Sequence, residues 1–308
     1  MLRLARKFFV PVILVLLVAS ASSAEITRTL VPLEREGVKL HLECMASGDG
    51  EPLLFVHGLT YSSHEFDVDY RDYSLARFFA NNGYSVWLLD IAGYGQSQPV
   101  EDGFTPDSDY AAEDILAAVK VILERSGRKS LDILGWSWGT VTAGRFAADN
   151  PELVHRLVMY APIVAGLGEV EVENPFNHNT WEHAAGYFQT NPDGSINYEI
   201  VEPEVVNAFQ SNCWRYDKEA SPNGGRRDLL VASSDRLIPT ERIEVPVLII
   251  AGSNDPYVSP ELCREAFGTL ENKDSRLEII EGAAHAMMME KPYYVIFRQK
   301  VLSFLRAN

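Results

Sequence analysis

Over most of its length the chain does not alternate apolar with polar residues. Its apolar residues come in short unbroken runs, "PLLFVHG", "YSVWLLDIAG", "SLDILGWS", "HRLVMYAPIV", "VPVLIIAGSND" and "RLEIIEGAAH". Runs of Val, Ile and Leu without alternation are the pattern of strands covered on both faces. Between them lie "SLARFFANNG", "DYAAEDILAAVKVILERSG", "TVTAGRFAADNP" and "PELCREAFGTL", whose apolar positions recur at helical spacing. This regular exchange of strand and helix predicts an α/β fold, a mostly parallel doubly wound sheet between helical layers. Two half-alternating segments precede it, "ITRTLVPLE" and "VKLHLECMA", separated by Glu36-Gly37; they read as an antiparallel pair. "KPYYVIFRQKVLSFLRAN" closes the chain as an amphipathic helix with Pro292 near its first turn.

Residues 165–244 break the rhythm. The interval is far longer than the ~5 residues of an ordinary connection and has helical periodicity of its own, so it is expected to be an inserted helical cap seated on the sheet. The first 24 residues have a different character: Arg3, Arg6 and Lys7, then a short apolar run, then Ser22 and Ala24 at the spacing that signal peptidases accept. That run is about a dozen residues, well short of the ~20 that a spanning helix needs. The expected organisation is a signal peptide over 1–24, cleaved after Ala24, a core in two parts over 25–164 and 245–308, and the cap over 165–244. A secreted or periplasmic protein with no stable membrane anchor follows.

Composition narrows the partners. The chain is 46% hydrophobic over 308 residues, enough for a large core, and carries a formal charge of −16; cleavage of the signal removes three further positive charges. Such a surface repels phosphate backbones and anionic lipid, which argues against nucleic-acid binding and electrostatic membrane attachment. Cys44, Cys213 and Cys263 are too few and too scattered for a disulfide framework or a zinc site. Buried free thiols are expected.

The candidate chemistry begins at Gly135-Trp136-Ser137-Trp138-Gly139, a serine between a strand and a helix with a glycine two positions away on each side. This is the context of a nucleophile elbow, whose sharp turn admits only very small residues at the glycine positions. Taken alone, the serine is as well explained as a turn or capping residue. His57-Gly58 ends the third strand, where a glycine turn lets the N–H of Leu59 face the same crevice as the N–H of Trp138; the two are the candidate oxyanion donors. His57 and Asp90 are read as structural. Asp255 and His285 each follow a later strand. The chain order Ser137, Asp255, His285 is that of a triad on the strand ends of such a sheet.

Taken together, His57-Gly58, Asp90-x-x-Gly93-x-Gly95-x-Ser97, Gly135-x-Ser137-x-Gly139, Gly252-x-x-Asp255 and His285-x-x-x-x-Glu290-x-Pro292 resemble the α/β-hydrolase superfamily with a cap domain. The layout is similar to the monoacylglycerol lipase and carboxylesterase branch. Trp138 resembles the tryptophan of prolyl iminopeptidases and of haloalkane dehalogenases, but a dehalogenase needs a carboxylate where Ser137 stands. The resemblance implies hydrolysis of a small-molecule carboxylic ester through an acyl-enzyme, with no metal or organic cofactor. An iminopeptidase-like peptidase or amidase is the alternative, its amine-binding carboxylates sought among Glu169, Glu171, Glu173 and Glu182. A non-catalytic binding protein on the same fold is a third. Trp138, Trp181 and Trp214 are candidates to contact the substrate. Phe188, Phe209 and Tyr216 fit either a pocket or a cap core, and Arg226 and Arg227 fit either an anion clamp or surface salt bridges.

Overall fold

The computed structural model describes residues 25–217 and 219–307; the export signal expected over 1–24 lies outside them. The strands are β1 (Thr27–Arg35), β2 (Val38–Ala46), β3 (Glu51–Val56), β4 (Tyr84–Asp90), β5 (Leu131–Trp136), β6 (Val154–Tyr160), β7 (Phe176–His178), β8 (Ala220–Pro222), β9 (Val247–Gly252) and β10 (Arg276–Ile280). The α-helices are α1 (Leu75–Ala80), α2 (Ser108–Ser126), α3 (Trp138–Asp149), α4 (Pro203–Tyr216), α5 (Gly224–Leu229), α6 (Pro260–Thr269) and α7 (Tyr294–Leu305). Eight strands form one sheet in the order β1-β2-β4-β3-β5-β6-β9-β10. β1, β2 and β4 pair antiparallel, and all pairings from β4 to β10 are parallel. The unbroken apolar runs account for this. β5 and β9 are buried at every position, whereas β1, at the edge, is exposed over most of its length.

Strand order locates the site. After β3 the chain moves outward to β4, then returns to the other side of β3 as β5. Here the direction of winding reverses, and the loops leaving β3 and β5 diverge around a crevice beyond their carboxyl ends. Those loops carry Gly58-Leu59 and Ser137. The segment between β6 and β9 contributes a small hairpin, in which β7 pairs with β8, and the helices α4 and α5. Asp217, at the end of α4, accepts hydrogen bonds from the N–H and hydroxyl of Ser62 and from the N–H of Gly95. These bonds tie the segment to the loops after β3 and β4. All three cysteines are free; Cys213 and Cys263 are buried, but Cys44 on β2 is only partly so. Among the described residues no helix is long and apolar enough to cross a membrane.

Candidate active site

From Leu131 to Gly144 every residue is buried except Ser137. The reason is the turn between β5 and α3. Ser137 has φ 55° and ψ −120°, a region that non-glycine residues occupy at a cost of roughly 1–3 kcal/mol. Its N–H donates to the Tyr160 carbonyl at 3.0 Å and its carbonyl accepts from the N–H of Thr140 at 2.9 Å, so both flanks of the strained residue are pinned. The flanking glycines are sterically required. A Cβ at Gly135 would strike the backbone of Gly139, and one at Gly139 would strike the carbonyls of Val56 and His57.

The loop after β3 is equally determined. The His57 ring is buried between two backbone groups, with Nδ1 2.8 Å from the Gly58 carbonyl and Nε2 accepting from the Ile91 N–H at 3.1 Å. A carbonyl only accepts and an N–H only donates, so the tautomer is fixed as Nδ1–H. Burial lowers the His57 pKa and keeps the ring neutral. This histidine shapes the loop, as expected. The N–H of Gly58 donates to the buried Glu65 carboxyl at 2.9 Å, and the Leu59 carbonyl accepts from the Tyr187 hydroxyl at 2.9 Å. With Gly58 and the Leu59 carbonyl held, the Leu59 N–H between them is fixed in direction. Asp90 is structural too, accepting from the N–H and hydroxyl of Ser63 and the N–H of Gln96.

Asp255 and His285 meet beyond β9 and β10. Asp255 Oδ2 lies 2.8 Å from His285 Nδ1, and the two side chains are 0% and 1% exposed. Asp255 Oδ1 accepts from the Tyr257 N–H at 2.9 Å, so each carboxylate oxygen has its own donor. The Asn254 N–H donates to the Ala283 carbonyl and joins the two loops directly. The His285 carbonyl accepts from Trp136 Nε1 and the Tyr160 hydroxyl, while Tyr257 meets its ring edge-on at 5.0 Å.

Ser137 and His285 open onto one cavity of about 240 Å³, lined also by Leu59, Thr60, Ile163, Leu167, His183, Tyr187, Arg226, Leu229, Leu230 and Tyr257. A larger hollow of about 520 Å³ runs along β1 and β2 near Leu30 and His41 and contains neither residue. The three tryptophans expected at the substrate do not line the reactive cavity, which corrects that expectation. The Trp138 indole is fully buried, donates to the Ser108 hydroxyl at 2.9 Å and packs against Gly225. Trp181 and Trp214 face one another edge-on at 6.4 Å. Phe188 and Phe209 pair with each other at 5.7 Å, and Tyr216 stacks on His64. Phe188 and Phe209 are buried in packing, Trp181 is partly exposed, and none of these aromatic residues lines the cavity. Glu169, Glu171, Glu173 and Glu182 are all exposed, and none lines the cavity.

Sequence reasoning missed Glu65, Tyr187, Tyr257, Asp217 and Glu290 as parts of this site's frame. Only Glu290 stood in a quoted motif. Its Oε2 accepts the N–H of Ala284, next to His285, at 3.1 Å, while Oε1 has no partner and is sealed from solvent. Burial raises the carboxyl to about 7. Its folded pKa thus exceeds the unfolded value near 4.3. The stability it contributes is full below pH ~4 and is lost as the pH rises through about 7, a change of about 4 kcal/mol at most. Glu290→Gln removes this titration. Its melting temperature relative to the parent protein should therefore rise by several degrees from pH 4.5 to pH 8; parallel curves in a thermal unfolding series would contradict the buried, proton-holding carboxyl.

A family model described as serine aminopeptidase, S33, matches residues 51–292. The chain belongs to that family and is a hydrolase with the α/β-hydrolase fold. It is 23% identical over 272 residues to an uncharacterized carboxylesterase of Bacillus subtilis, covering 86% of this chain and 83% of that protein. It is 24% identical over 271 residues to a proline iminopeptidase of Lactobacillus delbrueckii subsp. bulgaricus, covering 79% and 86%. Among solved structures, a thermophilic esterase from Thermogutta terrifontis superposes with a TM-score of 0.67 at 18% identity, covering 90% of this chain and 98% of that one. These relatives make ester hydrolysis the common chemistry and leave the peptidase branch in view.

Proposed function

We propose that this protein is an exported serine hydrolase that cleaves small carboxylic esters through Ser137, His285 and Asp255, with residues 165–244 acting as a cap over the site. The observation that carries the ester reading over the peptidase one is the charge in the reactive cavity. An aminopeptidase must hold a substrate ammonium with carboxylates, but among the described residues no acidic side chain lines this cavity and a guanidinium, that of Arg226, does. A cation there repels an ammonium and leaves a neutral or anionic substrate favoured.

The steps follow from the hydrogen bonds. A carboxylate only accepts, so the proton shared by Asp255 and His285 sits on Nδ1 and leaves Nε2 as the base. His285 Nε2 takes the hydroxyl proton of Ser137 as Oγ attacks the acyl carbon, and Asp255 stabilises the imidazolium that forms. The oxyanion is met by the N–H groups of Leu59 and Trp138. Trp138 is the first residue of α3, so its N–H has no acceptor within the helix, and each such donor is worth about 3 kcal/mol in the transition state. His285 returns the proton to the leaving alcohol, and water then repeats the sequence on the acyl-enzyme.

The test treats the mature protein with a fluorophosphonate probe and compares p-nitrophenyl esters of graded chain length with proline aminoacyl anilides. Probe labelling with ester turnover at least a hundredfold above anilide turnover is expected. Anilide preference would replace the ester reading by the peptidase one, and absence of both labelling and turnover would remove the enzyme reading.

A further inference from the structure

Among the described residues, Arg226 is the one lysine, arginine, aspartate or glutamate side chain that lines the cavity of Ser137 and His285. In a chain with 43 acidic residues against 27 basic ones, arginines readily find carboxylates. Arg28, Arg35, Arg77, Arg145 and Arg298 all do. Arg226 instead meets only neutral oxygens among the described residues: Nη2 donates to the Thr60 hydroxyl at 2.9 Å and Nη1 to the Asn223 side-chain carbonyl. A guanidinium has five N–H donors, and none of this one's nitrogens is sealed away without a partner. The residue lines the cavity, and the two hydrogen bonds leave donors of the guanidinium without a protein partner.

The position is informative. Thr60 directly follows Leu59, so the guanidinium is anchored on the residue next to the proposed oxyanion donor. Thr60 is itself held at φ 83°, unusual for a β-branched residue and the kind of strain that persists at ligand sites. The rest of the wall is mainly apolar, with Ile163, Leu167, Leu229 and Leu230, so a charge-assisted pair formed there is little screened. His183 shares the cavity, and burial with the nearby Arg226 lowers its pKa; at neutral pH it adds no second charge. The cavity volume of about 240 Å³ equals roughly eight water molecules at ~30 Å³ each, room for a short substrate.

We propose that Arg226 determines specificity by pairing with a carboxylate on the substrate, so that short carboxylate-bearing esters are the preferred substrates. The proposal rests on the ester-hydrolase reading. The carboxylate can reach the guanidinium from the acyl or the alcohol part, and two shape-matched pairs separate these: monomethyl glutarate against methyl 5-methylhexanoate, and 3-acetoxybenzoate against 3-isopropylphenyl acetate. Turnover is followed in a pH-stat. In at least one pair the charged ester should exceed the neutral one by tenfold or more in kcat/KM, mainly through KM. Arg226→Gln should bring that ratio to one or below, and Arg226→Lys should restore part of it. Arg227→Gln, whose guanidinium stacks on Phe104 at 4.8 Å outside the cavity, should keep the ratio. Equal or lower kcat/KM for the charged ester in both pairs, or an unchanged ratio in Arg226→Gln, overturns the proposal. A second measurement separates its failure from failure of the ester reading: glutarate binding by calorimetry needs no turnover. Binding to the parent protein that weakens tenfold in Arg226→Gln supports the anion site even if no ester is cleaved. Absence of binding together with brisk hydrolysis of neutral esters refutes it while the ester reading stands.

Discussion

Ser137→Ala abolishes ester hydrolysis and fluorophosphonate labelling, with a fall in kcat of about 10⁵–10⁶ and melting behaviour close to that of the parent protein. The size follows from the division of labour in such sites. Removing the nucleophile leaves only oxyanion stabilisation and binding, which are worth roughly 10³–10⁴ over the reaction in water. The unchanged stability follows from the backbone. Alanine keeps the Cβ that serine already places at φ 55°, so no strain is added, and the pinning contacts to Tyr160 and Thr140 are made by backbone atoms of residue 137. Circular dichroism and thermal unfolding beside the kinetics give the check. A folded Ser137→Ala protein that retained more than about a thousandth of the parent rate would place the nucleophile elsewhere.

The parts legible in the sequence are those that physics confines to few residue types. Buried parallel strands require unbroken apolar runs, so β3 to β6 and β9 are legible in the sequence. The turn at Ser137 admits almost no side chain at Gly135 and Gly139, which made the pentapeptide readable and gave Asp255 and His285 their meaning through chain order. The cavity wall has no such constraint. Arg226 meets Thr60 across 166 residues, and nothing at either position announces the other. The tryptophans were misread for a related reason. Large aromatic side chains near a catalytic serine suit a pocket and a core equally, and the choice depends on a distant partner, here Ser108 on α2 for Trp138. Glu65 and Asp217 escaped notice because a buried carboxyl holding a backbone N–H looks, in sequence, like any surface acid.

Asp255→Asn is expected to lower kcat by about 10⁴ with little change in KM, although it alters neither shape nor volume. The argument turns on the second oxygen of the carboxylate. Oδ1 accepts the N–H of Tyr257 at 2.9 Å, and an asparagine placed there must keep its carbonyl on that donor, because the reverse orientation would set two N–H groups against each other. Its amide NH₂ then faces His285 Nδ1, where Oδ2 lies 2.8 Å away in the native protein. Facing a donor, Nδ1 must become the acceptor, and the imidazole proton moves to Nε2. That tautomer cannot take the proton of Ser137, which is the loss of about four powers of ten seen when a triad aspartate is amidated. Fluorophosphonate labelling, which also needs the base, should slow in parallel with kcat. The decisive readout is the histidine itself: ¹⁵N shifts of His285 should report Nδ1–H in the parent protein and Nε2–H in the variant. A variant within tenfold of the parent rate, or an unchanged tautomer, would show that Asp255 does not orient the base.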